Sequence, residues 1–211
     1  MPPGGELVDG VELEHDRLVT AIAFLHGDRI VTATRAQVPT IRHLSDSNAT
    51  PIPLRGHTGA VNCVAVAPDD SKLATGSSDN SVRIFDVRGR SIAVLQDPRA
   101  ASDPGHAGGV IALAFSPNGR LLASAARDNT VRIWDTTTRR LLATLHILRD
   151  SASLMIRADG AYRLAGDAAS GVWWALRRNR FELNSIARHI TWPKPLADEE
   201  WLIPPETLGS D

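Results

Sequence analysis

Two histidines in this chain are each followed by an aspartate at the same distance along the sequence. His57 precedes Asp79 and His106 precedes Asp128, by 22 residues in both cases. A histidine and an aspartate that meet a serine in space form the set used by acyl-transfer hydrolases. An enzyme needs its catalytic set only once, however, whereas a scaffold repeats its parts. The sequence also contains no Gly-x-Ser-x-Gly motif and no glycine-rich phosphate loop. The pattern therefore favours a structural role, and we expect no catalytic residue.

Metal and redox chemistry find no support in the residue pattern. The seven histidines are scattered at positions 15, 26, 43, 57, 106, 146 and 189, and no pair has metal-ligand spacing. Cys63 is the single cysteine, which excludes an intramolecular disulfide and a cysteine-based zinc site. It lies in the apolar stretch VNCVAV, so we expect a buried free thiol. We predict no metal site and no cofactor, and we do not expect an enzyme.

Charge and hydropathy exclude two further classes of partner. The net charge is −1 and the pI is about 6.7, which disfavours a nucleic-acid binder that relies on a basic surface. The basic run RRNR at 177–180 is too short to change this expectation. No apolar stretch approaches the length of a membrane span, and the first ten residues do not resemble a signal peptide. We therefore expect a cytoplasmic protein with no nucleic-acid and no membrane partner.

The sequence that surrounds each of the two histidines forms an internal repeat. Residues 56–86 and 105–135 align without a gap, from Gly-His to the endings VRIFD and VRIWD. A weaker copy begins at His15 and, aligned without a gap, pairs Phe24 with Phe115, Arg29 with Arg120 and Gln37 with Asp128. An eroded fourth copy has an Asp-Gly turn at 159–160, where unit three has Asn-Gly. The predicted organisation is an N-terminal segment over 1–14, units over 15–55, 56–104, 105–150 and 151–176, and a tail over 177–211.

Each unit reads as four antiparallel strands. Stretches such as VNCVAV, KLATGS and SVRIFD alternate in polarity or run apolar for five or six residues. Turn residues such as Pro68-Asp69-Asp70 and Ser78-Asp79-Asn80 separate them. Units of about 40 residues that contain four strands, a Gly-His start and a Trp-Asp end resemble the repeats of the WD40 β-propeller family. The resemblance implies an all-β fold in which four-stranded blades pack face to face around an axis.

The resemblance also implies a hydrogen-bonded chain of side chains inside each blade. In this family the chain joins the histidine, the turn aspartate, a serine or threonine of the second strand and the tryptophan of the third. The corresponding residues here are His106, Asp128, Ser124 and Trp134 in unit three, and His57, Asp79 and Thr75 in unit two. Phe85 stands in the tryptophan place of unit two and has no N–H to donate. We therefore expect unit three to be the most stable blade.

Three architectures remain open for a propeller of about four blades. The first is a closed four-bladed ring, in which the segment over 1–14 could supply the missing outer strand of unit four. The second is a partial propeller completed by a protein partner or by a second copy, as a homodimer. The third is a fragment of a longer WD40 protein. We expect that the chain does not persist as an open monomeric arc, because the end blades would expose apolar faces.

The region after unit four carries a second, softer resemblance. The succession Gly166-Asp167, Trp173-Trp174 and Arg180-Phe181-Glu182 is similar to the C-terminal ends of bacterial proteins in which WD40 repeats follow a STAND-type signal-transduction NTPase. The sequence has no Walker A motif. The resemblance implies a sensing or docking part without the NTPase.

The function that these observations favour is a non-catalytic scaffold or sensing module that binds a protein partner. Candidate contact residues lie in loops at one rim or in the tail: Asn62, Ser78, Arg127, Trp192 and Trp201. The alternative is a hydrolase or other enzyme that uses the propeller channel. Such an enzyme would need acids or metal ligands that converge there, and the sequence shows no such group.

Overall fold

The computed structural model describes residues 18–35, 38–46, 48–95, 105–148, 152–165, 173–176 and 179–182. Over these residues the chain forms strands and turns, and it contains no helix that could cross a membrane. The predicted all-β class is therefore confirmed. The N-terminal segment over 1–14, Gln37, Trp192 and Trp201 lie outside the described residues.

Three units of four antiparallel strands, here called blades one to three, follow each other along the chain, and further strands extend the sheet of the third. Blade one contains β1 (Val19–Leu25), β2 (Arg29–Thr34), β3 (Thr40–His43) and β4 (Ile52–Pro53). Blade two contains β5 (Val61–Val66), β6 (Lys72–Ser77), β7 (Val82–Asp86) and β8 (Ser91–Leu95). Blade three contains β9 (Val110–Phe115), β10 (Leu121–Ala126), β11 (Thr130–Asp135) and β12 (Leu141–Ile147).

The turns between the second and third strands of blades two and three share one local design. Asn80 and Asn129 adopt left-handed backbone conformations with φ of 68° and 60°, which asparagine tolerates better than most residues. The preceding aspartate accepts a hydrogen bond from the backbone N–H two residues on, at 3.0 Å in both turns. This Asx turn reverses the chain within two residues and holds the aspartate carboxylate at the blade rim.

The hydrophobic core lies between the blades. One buried cluster joins Val31 and Ile41 of blade one to Leu73 and Phe85 of blade two. A second joins Ala74, Val82 and Ile84 of blade two to Val110, Leu122 and Trp134 of blade three. The first strands β1, β5 and β9 adjoin one another in that order. A single blade has two apolar faces, so each blade needs a neighbour on both sides to bury them.

Two described strands of the eroded fourth copy join the sheet of blade three. β13 (Ser153–Arg157) pairs antiparallel with β12, and β14 (Tyr162–Ala165) pairs with β13, so that the sheet of blade three has six strands. The fourth blade over 151–176 stays a prediction, since residues 166–172 lie outside the described residues, but the described strands β13 and β14 of this unit extend blade three. The physical reason is that the outer edge of β12 offers unpaired backbone groups to the next strand. Leu154 and Tyr162 form a small core of their own.

A separate two-stranded hairpin follows, formed by β15 (Trp173–Leu176) and β16 (Asn179–Glu182). β16 lies beyond residue 176, where the sequence analysis ended unit four and began the tail.

Strand pairing corrects the alignment of unit one. Phe24 pairs with Ile30, whereas the corresponding pairs are Val66 with Leu73 and Phe115 with Leu122. The first hairpin is therefore one residue shorter than the other two. Phe24 does correspond to Phe115, but the ungapped pairing of Arg29 with Arg120 is displaced by one residue.

Gly76 lies at a tightly packed point between blades two and three. A Cβ atom at this position would lie 2.5 Å from Cγ1 of Val110 and 2.6 Å from Sγ of Cys63. We expect Gly76→Ala to lower the free energy of unfolding by about 1–3 kcal/mol, because the extra methyl group overpacks the interface. Urea denaturation measures this change.

A double-mutant cycle with Val110→Ala is the control for that prediction. The second substitution removes Cγ1 of Val110, one of the two atoms that the new methyl group meets, so the cost of Gly76→Ala should fall in that background. An unchanged cost would contradict the proposed clash.

Candidate functional site

Blade three contains a continuous chain of side-chain hydrogen bonds. Nδ1 of His106 lies 3.0 Å from Oδ2 of Asp128, and Nε2 lies 2.7 Å from Oγ of Ser124. Nε1 of Trp134 donates to the same Oγ at 2.8 Å. A carboxylate only accepts, so Nδ1–H donates to Asp128, and Nε2 accepts from the serine hydroxyl. The structure thus brings together the four residues that the sequence analysis selected in unit three.

Blade two contains the same chain without its last member. Nδ1 of His57 lies 2.9 Å from Oδ2 of Asp79, and Nε2 lies 2.8 Å from Oγ1 of Thr75. Phe85 is fully buried in the place of Trp134 and has no donor. The carboxylate of Asp79 also accepts hydrogen bonds from the backbone N–H of Thr58 and from the hydroxyl of Ser81.

The described residues of blade one retain one member of this chain. By strand register, Thr32 corresponds to Thr75 and Ser124, and Arg42 takes the place of Phe85 and Trp134. The buried Thr32 hydroxyl lies 3.5 Å from that of Thr40. The buried hydroxyl is retained in all three blades, whereas the tryptophan donor is present only in blade three among them.

The His–Ser–Asp set of blade three is not arranged for catalysis. Ser124 and the imidazole of His106 are completely shielded from solvent. A nucleophile must reach its substrate, and this hydroxyl is enclosed between strands and already bonded to both His106 and Trp134. Within the described residues, no group of three or more His, Cys, Asp and Glu side chains could hold a metal ion.

The net effect of burial and hydrogen bonding is to lower the pKa values of the two histidines and the two aspartates. Burial lowers the pKa of His57 and His106 below its ordinary value, although the partner aspartates act in the opposite direction. Burial alone would raise the pKa of Asp79 and Asp128, but hydrogen bonds from Ser81 and Thr130 and their neighbours more than offset it, so both pKa values are lowered. Burial raises the pKa of Cys63 to about 12, so its thiol is inert at neutral pH.

We expect the melting temperature to fall as the pH decreases below about 6.5, the ordinary pKa of histidine. A histidine whose pKa is lowered in the folded protein resists protons that the unfolded chain accepts. Its contribution to stability is therefore present above pH 6.5 and is lost as the pH falls. Calorimetry between pH 7.5 and pH 5 measures the effect.

The matched control for the pH dependence is His106→Gln, which should make the profile less steep, because only His57 of the pair then remains. A melting temperature that is constant or rises between pH 7.5 and pH 5 would contradict the prediction.

An open cavity of about 310 Å³ lies at the rim between blades one and two. Its apolar wall includes Val38, Pro39 and Leu54, and Arg35 is the cation that lines it. The rest of the wall is the Gly-His loop of blade two, residues 56–61. We call this feature the inter-blade pocket. Arg35 and Val38 could not be found from residue spacing, because the sequence between them has no counterpart of the turn aspartate.

The corresponding position between blades two and three is closed. There the backbone N–H of His106 donates to the carbonyl of Asn80 at 3.2 Å. A Cβ atom on Gly105 would lie 3.0 Å from the same carbonyl oxygen, so the loop and the turn are in direct contact. Val38 takes the place of Ser81 and Thr130 by strand register, and its side chain is exposed.

The candidate contact residues have different surroundings. Nδ2 of Asn62 donates to the Val110 carbonyl at 2.9 Å and to Ser78 Oγ at 3.1 Å. These two residues are thus engaged within the protein and help to hold blade two against blade three. Arg127 is exposed beside the turn of blade three and remains a predicted contact residue.

Comparison with known sequences matches two parts of the chain. The family model described as "WD domain, G-beta repeat" matches residues 49–86 and 99–135. Translation initiation factor 3 subunit I is 32% identical over 88 residues in Danio rerio and 34% identical over 88 residues in Aspergillus terreus. A guanine nucleotide-binding protein subunit beta of Nicotiana tabacum is 41% identical over 49 residues.

These matches cover 41%, 41% and 23% of this chain, and 27%, 26% and 13% of the respective relatives. The chain therefore spans about a quarter of the initiation-factor subunits that it matches.

Two solved structures share the fold. U3-55K superposes over 72% of this chain and 50% of its own, with a TM-score of 0.57 and 19% identity. The computationally designed Ika4 protein superposes over 72% of this chain and 92% of its own, with a TM-score of 0.51 and 22% identity. At this level of identity the likeness concerns the fold alone. Together with the face-to-face blades, these comparisons establish that blades two and three are WD40 repeats in an all-β, propeller-like arrangement.

Proposed function

We propose that this chain is a non-catalytic protein-interaction module that binds a segment of a partner protein in the inter-blade pocket. The observation that carries the proposal is the pocket itself, an open cavity at a rim whose counterpart between blades two and three is closed. The matched relatives are each named as a subunit of a larger factor or protein, which supports a binding role.

The wall of the inter-blade pocket suggests the chemistry of the bound segment. Val38, Pro39 and Leu54 offer an apolar surface, and no carboxylate is among the described lining residues. Arg35 lines the cavity, and the guanidinium of Arg83 packs against Gly56 in the wall, close enough for its charge to lower the pKa of His57. The inter-blade pocket therefore combines an apolar patch with a cationic side chain, Arg35. This combination suits an aliphatic side chain next to a carboxylate.

A peptide array tests the proposal. The probes are octapeptides that place one Val or Leu beside Asp, Lys or Ser in every register, and the labelled full chain is applied to them. We expect the aliphatic–acidic members to bind best and Arg35→Glu to weaken their binding by about 10-fold, as expected for the loss of one favourable charge contact. Arg127→Glu is the matched control, since Arg127 is an exposed arginine beside the closed interface.

Two results would overturn the pocket as the binding site. The first is an array on which no aliphatic–acidic member binds above its lysine counterpart. The second is equal weakening by Arg35→Glu and Arg127→Glu, because a general charge effect would then explain the binding.

We further propose a cellular setting for this module, as the sensing or docking part of a bacterial STAND-type signalling system in the cytoplasm. Its support is the sequence similarity that runs from Gly166-Asp167 through Trp173-Trp174 to Arg180-Phe181-Glu182. Co-purification of the chain with a STAND-type NTPase from the soluble fraction is the expected result. Recovery of the chain only in a membrane or secreted fraction would contradict it.

A further inference from the structure

Because the blades are repeats, the burial of each blade face can be compared with the burial of the corresponding face on another blade. We call the face that a blade turns towards the preceding blade its leading face, and the opposite face its trailing face. On the leading face of blade two, Val64 and Val66 pack against blade one. On that of blade three, Leu113 and Phe115 pack against blade two.

Among the described residues, no blade packs on two large apolar side chains of the leading face of blade one, although this face has Arg42 in the place of Phe85 and Trp134. Strand register makes Ile22 and Phe24 the counterparts of Leu113 and Phe115. Their exposed fractions are 59% and 70%, although both side chains are large and apolar. An exposed apolar patch of this kind marks an interaction surface.

The other end of the described blades is also incompletely covered. On the trailing face of blade two, Ala74, Val82 and Ile84 are fully buried against blade three. The counterparts on blade three are Ala123, Val131 and Ile133, which are only half-buried, while Ala112, the counterpart of Cys63, is exposed.

The two uncovered faces match each other. The trailing face of blade three has alanine, valine and isoleucine at the same three positions as the trailing face of blade two. That face of blade two already receives an aliphatic residue and a phenylalanine, Leu113 and Phe115. The leading face of blade one offers the same pair, Ile22 and Phe24. One chain therefore carries both halves of a contact that it already forms internally between blades two and three.

We propose that the cover for both faces is a second copy of this chain, bound head to tail. The leading face of blade one in each copy packs on the trailing face of blade three in the other, so that two equivalent contacts close a ring. This interaction is separate from partner binding in the inter-blade pocket.

Sedimentation equilibrium of the full chain tests the assembly. We expect a mass twice the 22.7 kDa of one chain at micromolar concentration. Phe24→Asp and Ala112→Asp should each raise the dissociation constant by at least about 30-fold, because each places a charge in a desolvated contact. Both residues are exposed in the single chain, so both variants should keep its circular dichroism spectrum and melting behaviour.

Mixing the two variants tests the head-to-tail geometry. In a mixed pair, one contact combines both substitutions and the other contact is entirely wild type, so the mixture should recover part of the dimer. If the dimer instead formed by contact between two leading faces, Ala112→Asp alone would leave it intact. Mixing the two variants would then recover nothing. Val38→Asp is the control, since Val38 is an exposed aliphatic residue of the inter-blade pocket, and it should leave the mass unchanged.

The proposal is overturned by a wild-type chain that is monomeric at 100 µM or above, which would mean that another part of the same chain covers the faces. It is equally overturned by a dimer that Phe24→Asp does not weaken. These outcomes are independent of the peptide array, since Arg35 lies on neither end face.

Discussion

Replacement of Trp134 by alanine is expected to lower the free energy of unfolding by about 3–5 kcal/mol, as for other buried aromatic side chains. Trp134 is completely buried in the core between blades two and three, beside Leu122 and Val110. The substitution leaves a cavity at this interface and also removes the indole donor from Ser124. Chemical denaturation followed by circular dichroism measures the loss.

Trp134→Phe separates the two contributions. It keeps most of the apolar volume and removes only the N–H, so it should cost about 1–2 kcal/mol. Blade two already has this arrangement, with Phe85 beside Thr75. Equal losses for Trp134→Phe and Trp134→Ala would contradict the view that packing contributes most.

Replacement of Asp128 by alanine is expected to lower the free energy of unfolding by about 3 kcal/mol. The carboxylate accepts hydrogen bonds from His106 and from the backbone N–H of Ala107, and also from both the N–H and the hydroxyl of Thr130. Without it, the buried Nδ1–H of His106 loses its charged acceptor. Thermal denaturation at pH 7.5 measures the loss.

Asp79→Ala is the matched comparison, because Asp79 makes the same set of contacts in blade two. We expect Asp128→Ala to lower the melting temperature more than Asp79→Ala does. Only in blade three does the chain of hydrogen bonds continue through Ser124 to a tryptophan, and linked bonds strengthen one another. If Asp79→Ala lowered the melting temperature as much as Asp128→Ala or more, the missing donor at Phe85 would not account for a difference between the two blades.

The hydrogen-bonded chains of blades two and three could be predicted from residue spacing. The aspartate of an Asx turn can meet a histidine that lies 22 residues earlier only if the intervening strands form a regular hairpin, and the sequence showed that spacing twice. Residue chemistry then determines the order of donors and acceptors. The absence of a donor at Phe85 could be inferred in the same way, since it depends on the side chain alone.

Strand register and edge pairing could not be inferred with the same accuracy. The one-residue deletion in the hairpin between Phe24 and Ile30 is hidden, because neighbouring residues of unit one are similar enough to align without a gap. The pairing of β13 with β12 depends on which sheet edge is free, and this is a property of the whole fold. The pocket likewise depends on how residues of blade one, such as Arg35 and Val38, lie against the Gly-His loop of blade two.

The sequence by itself determined the repeated unit of this protein: four antiparallel strands, an Asx turn and a buried His–Asp pair. Local alternation, turn residues and hydrogen-bonding capacity are encoded in short stretches, so a single chain reveals them. Only the tertiary structure decided which blade faces are covered, that strands β13 and β14 extend blade three, and that a pocket opens between blades one and two. Those features depend on contacts between units distant along the chain, where small differences in register and loop length decide which surfaces meet.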